Sequence, residues 1–319
     1  MQPPDVDAPR GVLMMIGGAE DKLHARVVLN RFVRLAGGPA AIVAVISTAS
    51  SLGDTATEVY RSLFHKLGVP EVRGLRPETR AEADDPMAAA LLEDVTGIFM
   101  TGGNQSKLSA IVAGTRVGDA ITRAYELGAV VGGTSAGASV VSSHMVVNGA
   151  SGNTPKERMV QLAAGLGLID GVIVDQHFDQ RHRYGRLLAL VARSPALLGL
   201  GIDEDTATIV TEGRYVEVIG RGAVTIFDGL KAETTAYDAA SHRPLLVSGV
   251  TLHSLPSGAR FDLRTRGLIP EERQRPPVDP ETRLDGLLAR RIAAEGADDR
   301  VLRRRDQQRK KARERKDAS

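Results

Sequence analysis

The stretch Gly132-Gly133-Thr134-Ser135-Ala136-Gly137-Ala138 decides how the rest of the chain is read. It follows the apolar run Leu127 to Val131, which reads as a buried strand, and the residues after Ser135 read as a helix. Gly133-Thr134-Ser135-Ala136-Gly137 therefore fits the strand-turn-helix pattern G-x-S-x-G, in which a serine hydroxyl is lifted to the carboxyl edge of a sheet. Flanking glycines suit a turn so tight that a Cβ would clash with its neighbours. The amide of Ala136 and the positive end of the following helix aim at the same spot. Ser135 is thus a candidate nucleophile. The competing reading is a glycine-rich turn that holds a phosphate or only packs closely.

Outward from this turn, short apolar runs alternate with amphipathic helices. Gly11 to Ile16 ends in Gly17-Gly18, Ala41 to Ile46 ends in Ser47-Thr48, and Gly97 to Met100 ends in Thr101-Gly102-Gly103-Asn104-Gln105. Helical spacing joins Leu23, Val27, Phe32 and Leu35, then Ala56 to Leu67 after a cap at Asp54. It recurs over Ser106 to Val112 and Val117 to Leu127, while Asp85-Pro86 opens a further helix. This alternation predicts an α/β fold with a doubly wound, mostly parallel sheet of flavodoxin-like kind. In such folds ligands sit beyond the carboxyl ends of the strands, where the loops at Gly17, Ser47, Gly102 and Ser135 would gather. From Thr208 to Leu263 the pattern turns β-rich and is expected to extend the same domain with antiparallel strands.

The 319 residues include no cysteine, which excludes disulfides, thiol catalysis and cysteine-bound zinc and suits a reducing, cytoplasmic setting. Val12 to Ile16 is too short for a signal peptide or a membrane span. No histidines stand at ligand spacing beside an acid in a pocket that can be placed, so neither a metal nor another cofactor is expected. The expected organisation is a flexible segment over 1–10, one domain over 11–269 and a charged tail over 270–319, disordered or a solvated helix. Residues 301–319 hold nine Lys and Arg against three Asp and Glu, so the remainder is mildly acidic. Nucleic acid is therefore not an expected partner of the folded part, and the tail's own partner stays open.

A serine needs a base, and the base an orienter. His177 directly follows the strand Val172 to Val174, where a side chain is held rigidly at the sheet edge. His24 and His65 fall in helices, His242 and His253 in the β-rich end, and His182 and His144 within helices. For the acid, Asp203, Glu204 and Asp205 all follow the strand Leu198 to Ile202, and a strand end uncertain by a residue leaves them undivided. The order serine, histidine, acid differs from the α/β-hydrolase order. Asp175, Gln176, Arg181, Arg183 and Arg186 surround His177, and a helix is expected to carry the three arginines. Guanidinium groups beside a nucleophile suit a substrate with carboxylates, although a solvated basic face is the other reading.

Five segments together resemble the cyanophycinase family: Ile16 to Lys22, Thr101 to Gln105, Gly133 to Ala138, Asp175 to Phe178 and Gly201 to Ala207. These are serine peptidases of class I glutamine amidotransferase-like fold, related to aspartyl dipeptidases. The resemblance implies hydrolysis of cyanophycin, a polyaspartate bearing arginine on each side-chain carboxyl, to β-aspartyl-arginine. It implies Ser135 as nucleophile, His177 as base, Glu204 as orienter, and the amides of Gly103 and Ala136 as oxyanion hole. Asp175, Gln176, Arg181, Arg183 and Arg186 would grip the substrate, with Asn104, Gln105 or Lys107 on the opposite wall. In the aspartyl dipeptidases the acid comes from soon after the elbow; here Asn148 to Thr154 has no Asp or Glu, which favours Glu204. A homodimer is also implied. The alternatives are an α-aspartyl or isoaspartyl dipeptidase of the same fold and a non-enzymatic binding protein that uses the basic tail.

Overall fold

The computed structural model describes residues 11–238 and 243–270. These all lie within one compact unit of the chain. The expected flexible start, His242 and the tail beyond Pro270 fall outside the described residues.

The elements in order are β1 (Val12–Ile16), α1 (Val27–Leu35), β2 (Ile42–Ile46), α2 (Asp54–Lys66), β3 (Glu71–Leu75), α3 (Arg80–Ala83), α4 (Pro86–Ala90) and β4 (Gly97–Met100). Then come α5 (Gln105–Val112), α6 (Arg116–Glu126), β5 (Val130–Thr134), α7 (Ala136–Ser139), β6 (His144–Gly149), β7 (Val160–Ala164), β8 (Val172–Gln176) and α8 (Tyr184–Arg193). The β-rich end holds β9 (Leu198–Ile202), β10 (Thr206–Thr211), β11 (Tyr215–Gly220), β12 (Ala223–Asp228), β13 (Glu233–Thr234), β14 (Val247–Ser248), β15 (Thr251–Pro256), β16 (Arg260–Asp262) and β17 (Gly267–Leu268).

The fold is α/β, as its alternating pattern predicts. A nine-stranded sheet runs β17-β16-β11-β10-β1-β5-β4-β2-β3, and its half from β1 to β3 is parallel throughout. From β10 to β17 each strand joins its neighbour antiparallel. Strand side chains alternate between faces. Leu13 and Met15 of β1 accordingly join Leu108, Ile111 and Ile121 of α5 and α6 in one apolar layer. Met14 and Ile16 join Phe32, Tyr60 and Phe64 of α1 and α2 in the other. Phe99 of β4 centres that second layer, with Phe32, Tyr60 and Phe64 ring centroids 4.8–5.3 Å away. Phe32, Phe64 and Phe99 are fully buried and contribute about 1.5–3 kcal/mol each.

Three local expectations are corrected. α1 starts at Val27, because the Asp21 carboxylate accepts the amides of Leu23, His24 and Arg26 and holds that segment as a turn, with Leu23 in solvent. The helix after Ser135 is four residues long, so His144 opens β6, which pairs with β7. The arginine-bearing helix begins at Tyr184, leaving Arg181 and His182 in the preceding turn and Arg183 at its cap position. Strands β8 and β9 do not enter the nine-stranded sheet either. They lie parallel in a second sheet, β15-β12-β9-β8, against which α8 packs.

Candidate active site

Ser135 links β5 to α7 with φ 53° and ψ −108°, a conformation side-chain-bearing residues rarely adopt. Close packing on both sides holds it there. A Cβ on Gly133 would stand 2.2 Å from the Gly137 carbonyl oxygen, and one on Gly137 would stand 2.3 Å from that of Met100. The Ser135 amide donates to the Ile16 carbonyl at 3.0 Å, which ties the turn to the end of β1.

His177 follows β8 directly, also at positive φ, and its amide donates to the Gly17 carbonyl at 2.7 Å. Gly18 forms a floor for the ring: a Cβ there would meet the imidazole Cε1 at 2.3 Å. Nε2 lies 2.9 Å from Ser135 Oγ, and Nδ1 lies 2.6 Å from Glu204 Oε1. A carboxylate only accepts, so Nδ1 carries the proton and Nε2 of the neutral ring is left to accept from the serine hydroxyl. Burial pushes the His177 pKa below the ordinary histidine value, with a contribution from the Arg181 charge, while the bond to Glu204 acts the other way. The neutral ring is the form that can take a proton near pH 7.

Glu204 sits between β9 and β10, and its amide donates to Gln180 Oε1 at 2.9 Å. The two neighbouring acids are occupied elsewhere. Asp203 accepts the amides of Asp179 and Ala223, and Asp205 accepts that of Asp21. Side-chain partners thus divide three residues that sequence leaves equivalent.

Among the described residues, no hydrogen bond uses the amide of Gly103 or of Ala136. Gly102 packs on the serine, since a Cβ on it would stand 3.4 Å from Ser135 Cβ. A cavity of about 490 Å3 opens beside this loop, lined by Ser51, Gly103, Asn104, Gln105, Val147 and Asn148 among others. Asn104 Oδ1 caps α5 through the Lys107 amide. Gln105 donates its amide hydrogens to the carbonyls of Val146 and Val147, which leaves Oε1 as its remaining acceptor. Lys107 pairs with Glu78 at 2.6 Å.

The charged cluster near His177 splits into an inner and an outer part. Asp175 is fully buried and takes both Arg186, through Nε at 2.5 Å, and Arg183 at 3.0 Å. Arg183 also reaches Gln176, whose side-chain oxygen lies 3.5 Å from Ser135 Oγ. Burial lowers the Arg183 pKa to about 10, so the guanidinium remains charged at neutral pH. Arg181 is exposed and makes no ion pair among the described residues. Among the described residues, no group of three or more His, Asp or Glu could hold a metal ion, and no helix is long and apolar enough to cross a membrane.

Residues 12–218, from β1 into β11, match the model of peptidase family S51. The chain belongs to that family. Ser135, His177 and Glu204 all fall within the matched span. The chain is 41% identical over 258 residues to a cyanophycinase of Geminocystis herdmanii, covering 80% of this chain and 95% of that protein. It is 40% identical over 258 residues to one of Synechococcus elongatus, covering 80% of each. The solved structure of a peptidase from an acI-B1 Actinobacterium superposes with a TM-score of 0.61 at 23% identity, over 80% of this chain and 98% of the other, and shares its fold.

Sequence reasoning gave no role to Glu20, Gln180 or Gly18. The Gly17-Gly18 pair at the end of β1 was the available signal, since it marks a loop at the same sheet edge as Ser135.

Proposed function

We propose that this member of peptidase family S51 is a cyanophycinase that releases β-aspartyl-arginine through an acyl-enzyme on Ser135. The observation that carries the chemistry is the unbroken relay of 2.9 Å and 2.6 Å from Ser135 through His177 to Glu204. The substrate rests on the named relatives, which this chain matches over 95% of the length of one of them.

Ser135 Oγ attacks an aspartyl carbonyl carbon and its proton passes to His177 Nε2. Glu204 accepts from Nδ1 throughout, fixing the tautomer and steadying the imidazolium. The amides of Gly103 and Ala136 receive the developing oxyanion. α7 has only four residues, so these two N–H groups rather than a helix dipole supply the stabilisation. His177 then gives the proton to the leaving amine. Water, deprotonated by the same nitrogen, frees Ser135 and the product carboxylate.

Arg181, exposed and without an ion pair among the described residues, is placed to meet a carboxylate of the substrate. Arg183 and Arg186 act from beneath through Asp175 and Gln176, while Asn104 and Gln105 offer neutral oxygens to a guanidinium. Lys107 is engaged by Glu78 and is not among the residues that line the cavity, so Asn104 and Gln105 are favoured over it for that wall. The homodimer implied by the family resemblance belongs to the same reading, and sedimentation is expected to give twice the chain mass; a single-chain mass would refute it.

Chromatography of the products after adding purified protein to insoluble cyanophycin tests the substrate. Soluble β-aspartyl-arginine is expected. Cleavage of short Asp-X dipeptides with none released from the polymer would contradict the proposal.

A further inference from the structure

Glu20 is a buried acid that the reaction as drawn does not use. Its side chain is 1% exposed, on the loop between β1 and α1. Burying a carboxylate is costly unless its oxygens are filled. Here Oε2 accepts the Thr134 hydroxyl at 2.5 Å, and Oε1 accepts the Tyr60 hydroxyl at 2.5 Å and the Lys22 ammonium at 2.7 Å. Burial and the nearby acid push the Tyr60 phenol well above its ordinary pKa, so it remains a donor. Lys22 also stands over the Tyr60 ring, 5.3 Å from its centre.

Thr134 is the residue immediately before Ser135, and a strained backbone persists only where its surroundings over-determine it. On the far side of Ser135 the packing of Gly137 on the Met100 carbonyl supplies that restraint. On the near side the clamp on Thr134 supplies it. The same loop also holds the backbone of His177 and of Asp205, the residue after Glu204. Its Gly17 carbonyl accepts the His177 amide, its Gly18 carbonyl accepts the Asp205 amide at 2.9 Å, and the Asp21 amide donates to the Asp205 side chain at 2.9 Å.

We infer that Glu20 is a positioning residue for the nucleophile: by fixing the Thr134 hydroxyl to Tyr60 and Lys22, it holds the Ser135 turn where His177 can take its proton. The inference rests on Ser135 as the nucleophile and not on which peptide is cut.

The test is therefore the rate at which a fluorophosphonate labels Ser135 in the full chain, resolved into reagent binding and bond formation, with the melting temperature measured in parallel. Thr134→Val keeps the branched shape and removes the hydroxyl, so it avoids the folding risk of Glu20→Ala. Bond formation is expected to slow roughly tenfold to a hundredfold, as for a misplaced reacting group, with reagent binding unchanged. Thr134→Ser should recover most of the rate, and Glu20→Gln should fall between. Labelling of folded Thr134→Val at the wild-type rate, with only a lower melting temperature, would overturn the inference and leave the nucleophile standing. Failure of the wild-type protein to label would overturn the nucleophile assignment and this inference with it.

Discussion

His177 is held between two influences on its protonation. Burial and the Arg181 charge disfavour the imidazolium, and Glu204 favours it; the balance lies below the ordinary histidine value. Only the neutral ring accepts a proton, so kcat/KM should rise with pH through a pKa below the usual one and be level at neutrality. Arg181→Gln removes one cause of the depression. Its acid limb should move to higher pH, alongside weaker substrate binding, in a pH–rate profile; an unmoved limb would contradict the role given to that charge. At this scale Ser135 and His177 were legible because each directly follows a buried strand at the sheet edge. Glu204 was not separable from Asp203 and Asp205, because partners on Asp179, Ala223 and Asp21 decide the matter and all are distant in sequence.

The turn from β8 into α8 is an element organised by charge. Asp175 leaves β8 with no exposure to water, and Arg183 and Arg186 close over it. Removing one member of a buried ionic group strands the others, at a cost of about 3–5 kcal/mol. Asp175→Asn is accordingly expected to lower the free energy of unfolding in urea by an amount of that order, read as an earlier midpoint, and an unchanged midpoint would show that the cluster does not hold this turn. The arginines were visible in the sequence as a group. Their burial was not, since helical spacing places Arg183 and Arg186 on one face without saying that an acid from a strand waits beneath it. The same limit explains His144: after the elbow the pattern continues apolar, but α7 stops at Ser139 and the chain turns into a β hairpin.

Over the whole molecule the relay is assembled from two sheets. Ser135 directly follows β5 of the nine-stranded sheet, and His177 directly follows β8 of the four-stranded one. Glu204 lies on the crossing from β9 in the second sheet to β10 in the first. Period and composition revealed the strands and the α/β class, and the loops at Gly17, Gly102 and Ser135 were expected on one edge. The division into two sheets was not legible, because an apolar run such as Leu198 to Ile202 carries no mark of which neighbour it will pair with. The loop after β1 joins the parts: the Ile16, Gly17 and Gly18 carbonyls accept the amides of Ser135, His177 and Asp205. Catalysis by a hydroxyl at that junction is the central claim, and release of β-aspartyl-arginine from cyanophycin by Ser135→Ala beside the wild-type protein tests it most directly. The account predicts dipeptide from the wild type and a loss of roughly a thousandfold or more in the variant, whose melting curve is unchanged. Equal release by the two proteins, or none by the wild type, would contradict it.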